Sequence, residues 1–353
     1  MSSSDSIAKE LFGKTKDGKE VYVFTLKAGN ITIRVLNYGC VVKDILVPDN
    51  NGNIVDVCLG YDTLEDYETN SAFMGSICGR VSNRIDGGAF TLNGVKYDVS
   101  KNDPLGNSMC HGGFVGLTRR CYDWSIDGST LIFTYVDVDG SEGFPGDLSL
   151  TVAYELTEES GLMMDYKATT NKPTPVDISN HFMVNLSGHA GGYIGDHVVT
   201  MKNIKSIEMN ERFIPTGNIT ETKGTILDFE KPVVLNDILD KMPGKDGLHS
   251  ILVLPGQKGE KKTVARAVHP ASGRYLEVST TEPVFVAYGC FYLDFLMKDK
   301  KGKDGAVYEK NGGVLFMPQG YVNAMNQPSF PSCILNPGET YHTTSWYKFG
   351  NKS

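Results

Sequence analysis

The sequence predicts an all-β protein built as a large antiparallel β-sandwich. Three observations carry this expectation. Apolar residues recur at every second position in many short segments, turn-forming residues separate those segments, and helical periodicity is sparse. Alternation at period two buries one face of a strand and leaves the other polar. Many such strands at short spacing, with little helix between them, form sandwiches or barrels.

The elements follow in chain order. Ile31-Thr32-Ile33-Arg34-Val35 alternates, and Asp49-Asn50-Asn51-Gly52 is a turn signal. Leu64 to Glu68 is long enough for one short helix. Asn93-Gly94 and Asp137-Val138-Asp139-Gly140 are further turns. Between and after them run Leu131, Phe133 and Tyr135, then Leu148, Leu150, Val152 and Tyr154, then Leu162, Met164, Tyr166 and Ala168. Val234 to Met242 is a second candidate for a short helix, and lysine-rich Lys298–Lys303, with Gly302, reads as an exposed loop. No fixed-period repeat or low-complexity tract divides the chain, so residues 1–353 are expected to form a single domain.

A net charge of −8 without a long basic run argues against nucleic acid or an anionic membrane as partner, because both require clustered Lys and Arg. It fits a neutral small-molecule substrate. The seven cysteines lie at Cys40, Cys58, Cys78, Cys110, Cys121, Cys290 and Cys333. Their number is odd and none shares a CxxC or other metal-type spacing, so reduced thiols and a cytoplasmic location are expected. Met1–Ser6 lacks the apolar core of a signal peptide, and no apolar run approaches the ~20 residues of a membrane span. The histidines lack metal-ligand spacing, so neither a metal nor a cofactor is expected.

Four segments carry a resemblance. They are Gly79-Arg80-Val81-Ser82-Asn83-Arg84-Ile85 followed by Phe90-Thr91-Leu92-Asn93-Gly94; His111-Gly112-Gly113; Pro173-Thr174-Pro175-Val176 running into Ser179-Asn180-His181 and Asn185-Leu186; and Pro328-Ser329-Phe330-Pro331 with Asn336-Pro337-Gly338-Glu339-Thr340-Tyr341. Their order and spacing resemble the aldose 1-epimerase (galactose mutarotase) family, with wording closest to its plant-type members. The similarity runs from Leu36-Asn37-Tyr38-Gly39 to Tyr347-Lys348-Phe349. It implies a galactose mutarotase-like β-sandwich with a sugar-sized cleft on a concave face.

The resemblance also implies a chemistry. Mutarotation opens a pyranose ring and recloses it on the other face, so a base must take the anomeric proton while an acid protonates the ring oxygen. The family uses a glutamate as base and a histidine as acid; a second histidine, an arginine and an aspartate hold the sugar. By the resemblance His181 matches the acid, His111 the second histidine and Arg84 the arginine, with Asn83 beside it. Phe316-Met317-Pro318-Gln319 aligns with the family's Leu-Glu-Thr-Gln, so Met317 stands at the base position and Gln319 anchors the alignment. Gly247-Leu248-His249 aligns with Gly-Tyr-Asp, so His249 stands where an acidic residue is expected; a small shift would bring Asp246 there instead.

A thioether accepts no proton at neutral pH. The replacements exchange two anions for one apolar group and one imidazole, which lowers the expected affinity for a hydroxyl-dense hexose. A less polar ligand is expected beside Phe316, Met317 and Tyr321. The first functional reading is therefore a repurposed isomerase or cyclase that uses His181, His111 and His249 for acid–base chemistry on a small molecule other than a free hexose, with Asn83, Arg84, Met317 and Gln319 contacting the substrate. The second is an ordinary aldose 1-epimerase whose base is supplied from elsewhere, by Glu282, Glu309 or Asp177. The third is a non-catalytic carbohydrate-binding protein.

Overall fold

The computed structural model describes residues 7–202, 205–242 and 247–351. Strands take 44% and helices 8% of the structure, far below the roughly 30–35% helix of an average globular protein. The architecture rests on three antiparallel sheets. The large sheet has nine strands in the order Asp123–Asp127, Thr130–Asp137, Leu148–Thr157, Gly161–Thr170, Tyr341–Asn351, Arg274–Thr280, Lys262–Val268, Val198–Met201 and Val233–Val234. An N-terminal sheet pairs Ala8–Lys14, Glu20–Ala28, Ile31–Leu36, Val42–Pro48 and Ile54–Asp56 in sequence order. A third sheet, the site sheet, runs Pro215–Glu221, Lys205–Met209, His249–Val253, Val284–Tyr288 and Leu315–Gln319.

The alternation read in the sequence is what builds the sandwich. Leu150, Val152 and Tyr154 lie opposite Ala168, Tyr166 and Met164, and all six are buried on one face of the large sheet. The same core takes in Phe24, Leu26, Ile33 and Val35 of the N-terminal sheet and Leu252, Phe285, Ala287 and Phe316 of the site sheet. The large sheet thus covers parts of both five-stranded sheets, as period-two burial on facing sheets requires. Asn93-Gly94 closes a hairpin in which Leu92 pairs with Val95, and both turn residues have positive φ, 51° and 79°.

The helix expected at Leu64–Glu68 is present, capped by the Thr63 hydroxyl accepting the Asp66 amide at 3.2 Å. The one expected at Val234–Met242 is not. Leu235, Ile238, Leu239 and Met242 are buried at helical spacing, but as two short 3-10 turns, Leu235–Asp237 and Leu239–Lys241. The amides of Leu235 and Asn236 donate to the carbonyls of His197 and Gly195 at 2.9 and 2.7 Å, so the backbone is tied to a neighbouring loop at the point where a helix would start.

Lys298–Lys303 is not wholly an exposed loop either. Lys303 is buried, and its ammonium reaches Asp44 at 3.0 Å, Asp56 at 2.6 Å, the Cys58 carbonyl at 2.8 Å and the Lys43 carbonyl. Two carboxylates and two carbonyls replace the water that a lysine normally keeps. Burial resists the charge on Lys303, but neighbouring Cys58, Asp56 and Asp44 outweigh it and raise its pKa. All seven cysteines are free thiols, and among the described residues no helix is long and apolar enough to cross a membrane.

Candidate active site

Period two also decides which residues of the site sheet face the ligand. Across its register His249 lies opposite Tyr288, Tyr288 opposite Leu315, and Val286 opposite Met317. These five line one cleft, while Leu252, Phe285, Ala287 and Phe316 turn to the main core. Phe316 therefore does not flank a ligand, contrary to expectation. Tyr321 packs against Phe330, with ring centroids 5.0 Å apart, and is not part of the cleft wall either. Of the expected apolar stripe only Met317 remains in the cleft.

The motif loops supply the polar side of the cleft. Cys110 pairs with Arg84 in a two-residue antiparallel ladder. Just beyond it the Asn83 and His111 backbones, both left-handed at φ 58° and 51°, lock together. The His111 amide donates to the Asn83 carbonyl at 2.9 Å, and the Asn83 amide donates to His111 Nδ1 at 3.1 Å. That bond leaves the proton of the neutral ring on Nε2. Gly112 has φ 88°, and a Cβ there would lie 1.7 Å from the Gly79 carbonyl oxygen, so the histidine must be followed by glycine.

His181 follows the short strand Ser179–Asn180, which pairs with Ile77–Cys78. Its amide donates to the Ser76 carbonyl at 2.8 Å. The Ser179 hydroxyl donates to the Pro318 carbonyl, which ties the His181 segment to the strand carrying Met317. Asn180 is used by the fold: its amide group donates to the Gly75 carbonyl at 3.1 Å and accepts from the Phe182 amide at 2.8 Å. Arg80, in the same motif as Arg84, is fully buried and held by Asp137 at 2.7 Å.

The structure brings Asn83, Arg84, His111, His181, His249 and Met317 onto one cleft of about 780 Å³, counting its open mouth. The His111 and His181 rings lie 4.7 Å apart, edge to face, with Phe73 against both. His249 rests among Phe213, Tyr288 and Phe291, with ring centroids at 4.7, 5.5 and 5.9 Å. Nδ1 of His181 and Nδ1 of His249 are buried and make no hydrogen bond. Gln319 is apart from the group. It is fully buried at the end of its strand, outside the cleft wall, with its amide nitrogen donating to the Gly320 carbonyl at 3.3 Å.

Burial makes all three rings poor proton holders. It lowers the His181 pKa to about 4. His249 falls to about 3, by burial and then by nearby Arg84, and His111 is pushed well below its usual value by burial, His181, Arg84 and His249. Each is a neutral imidazole at pH 7.

Sequence reasoning missed Asp103. It is the only carboxylate among the described residues lining the cleft, and Arg84 Nε donates to it at 2.7 Å. It lies outside the quoted motifs, and no periodicity marks it. The aromatic bed of Phe213, Tyr288 and Phe291 was missed too, because only the tertiary fold joins these segments. The carboxylates considered as substitute bases lie elsewhere. Asp177 accepts from the Ser82 hydroxyl at 2.7 Å and the Gly320 amide at 2.8 Å; buried Glu282 accepts from the Tyr341 hydroxyl at 3.2 Å; Glu309 is exposed. None lines the cleft. Asp246 lies outside the described residues. Among the described residues no group of three His, Cys, Asp or Glu side chains is arranged to hold a metal ion.

Known proteins resemble this chain along nearly its whole length. The family model "Aldose 1-epimerase" matches residues 22–348. Galactose mutarotase of Bos taurus is 36% identical over 345 residues, covering 98% of each chain. Aldose 1-epimerase of Escherichia coli (strain K12) is 28% identical over 94% of this chain and 96% of its own. Among solved structures, the GalM/aldose epimerase homologue from C. elegans superimposes with a TM-score of 0.84 at 28% identity, over 94% of this chain and 99% of its own. Galactose 1-epimerase from Lactobacillus acidophilus NCFM gives 0.81 at 25% identity, over 99% and 100%. With a family model spanning most of its length and relatives above 30% identity over nearly all of it, this chain belongs to the aldose 1-epimerase family.

Proposed function

We propose that this chain is an isomerase that opens and recloses, or cyclises, a small molecule other than a free hexose, by histidine acid–base chemistry. The observation that carries this reading is the pair His111–His181, 4.7 Å apart in a cleft whose one lining carboxylate among the described residues, Asp103, is already held by Arg84. A general base must have a free lone pair in reach of its proton. Neutral His181 meets the first condition at Nε2, which makes no hydrogen bond and, unlike the buried Nδ1, is not closed off; Met317, at the position assigned to the base, does not. In this reading His181 exchanges the proton. His111, with Nδ1 engaged by Asn83, offers its Nε2 proton to the oxygen where charge develops, as neutral imidazoles do elsewhere. His249 is the second candidate base. Asn83, Arg84 and Met317 contact the substrate; Gln319 is withdrawn from that role because the strand end buries it outside the wall.

Two measurements test this. Polarimetry on fresh α-D-glucose and α-D-galactose, run beside bovine galactose mutarotase, should show this chain slower by about 10²–10⁴-fold, the usual loss for a missing general acid or base. Exchange NMR on tetrahydropyran-2-ol, a pyranose ring bearing only the anomeric hydroxyl, should show accelerated opening and closing. Sugar rates equal to those of the bovine enzyme would restore the ordinary mutarotase reading. Binding of the lactol without any turnover would make the protein a binder.

A further inference from the structure

Resting on that reading, and naming the substrate class for the same cleft, we infer that the ligand is a lactol with an apolar body that runs from the histidines out to the Phe295 rim. One wall of the cleft offers almost nothing to a polyol. Met183, Val286, Leu315 and Met317 line it, with Phe73 against the rings of His111 and His181. A hexose has a hydroxyl on nearly every carbon, and each one pressed against such a wall without a partner costs free energy. Arg84 is partly spent, since its Nε is bound to Asp103 and its guanidinium lies 5.4 Å from the Phe213 ring, and its remaining N–H groups belong to the polar side of the cleft. The cleft therefore has a polar side, formed by Asn83, Arg84, Asp103 and the three histidines, and an apolar wall.

The apolar surface continues to the mouth. The short helix Leu293–Leu296 places Phe295 on the cleft rim, where it is 60% exposed. A lone exposed aromatic needs no explanation, but this one extends an apolar wall and is flanked by Tyr292 and Leu296, which also line the cleft. An apolar substituent leaving a lactol ring held at His181 is covered there.

The reaction balances without an oxidant or cofactor. The anomeric proton passes to His181 Nε2, the bond from the anomeric carbon to the ring oxygen breaks, and the carbonyl forms. The ring oxygen then takes the proton back from the imidazolium. Both oxygens sit on one carbon, so a single nitrogen can serve both, and reclosure on the other face inverts the centre.

The experiment compares D-galactose, tetrahydropyran-2-ol and 6-pentyl-tetrahydropyran-2-ol, with 4-pentylcyclohexanol as an unreactive analogue, by calorimetry and exchange NMR. Each methylene withdrawn from water is worth about 4-fold in affinity, so a half-covered pentyl arm should tighten binding by about 30-fold over the plain lactol. Phe295→Ser, at an exposed position, should erase about 5-fold of that gain. Equal affinity for both lactols, both turned over with His181, overturns the apolar body and leaves the proton-transfer reading standing. Tight binding of both pentyl compounds with no turnover keeps the ligand shape and overturns the chemistry. Galactose binding tighter than either lactol overturns the substrate class.

Discussion

The molecule buries two groups of histidines, and they are solved in opposite ways. In the first, His197 and His269 face each other at 5.2 Å with Asp196 between them. His197 Nδ1 meets Asp196 at 2.9 Å and its Nε2 accepts the Leu186 amide at 3.0 Å; His269 binds Asp196 at 3.0 Å and Ser272 at 2.7 Å. Every ring nitrogen has a partner. In the second, the cleft, His111 has one nitrogen engaged by Asn83, while Nδ1 of His181 and of His249 have none. Burial depresses His197 and His181 alike, each to about 4, so the pKa does not separate the two groups. Satisfaction does. Buried polar atoms are nearly always paired, and the exceptions call for a reason. A fully bonded histidine holds a fold together; the cleft histidines are held by ring packing and keep Nε2 unbonded for what enters the cleft.

The largest effect that can break this comparison is on turnover. His181→Ala should lose about 10²–10⁴-fold in lactol interconversion while its thermal unfolding stays close to that of the parent. Full activity in that variant would move the chemistry to another residue. The converse holds at the other group. His197→Ala should cost about 2–4 kcal/mol of stability in denaturant titration, since it leaves a cavity and strips a partner from Asp196 and from the buried Leu186 amide, with turnover per folded molecule unchanged. A silent His197→Ala would show that the satisfied group is not a structural one.

The smallest effect is on pH. The folded pKa of His181 lies below the ordinary 6.5, so the unfolded chain binds the proton more readily. Its contribution to stability is complete above about pH 6.5 and is lost as pH falls towards 4, at about 1.4 kcal/mol per pH unit. The stability curve of His181→Ala should be flatter than the parent's by that slope across this window. Parallel curves would mean that the ring is protonated and solvated in the folded state.

The alternation of apolar residues predicted the sandwich because burial of one strand face is a local, period-two property. Asn93-Gly94 and the short helix at Leu64–Glu68 were legible for the same reason: a turn of chain is decided by a few adjacent residues. The site was legible in part. Asn83, Arg84, His111, His181, His249 and Met317 meet in one cleft, and it was the order of the motifs, not their local chemistry, that pointed to each of them.

What local pattern could not decide was anything that depends on contacts between distant segments. Phe316 and Met317 are both apolar and adjacent, and only the strand's orientation between two faces sends one to the core and the other to the cleft. Lys303 reads as a solvated loop lysine until Asp44 and Asp56, more than two hundred residues earlier, close around it. Asp103 is unremarkable in sequence and becomes part of the cleft only because Arg84 folds against it. By itself the sequence determined the strand periodicity, the turns and the residue types available for proton transfer. The tertiary structure decided which of those groups are paired and which are left open, because a hydrogen-bond partner or a charge partner is a matter of distance in space and not of position along the chain.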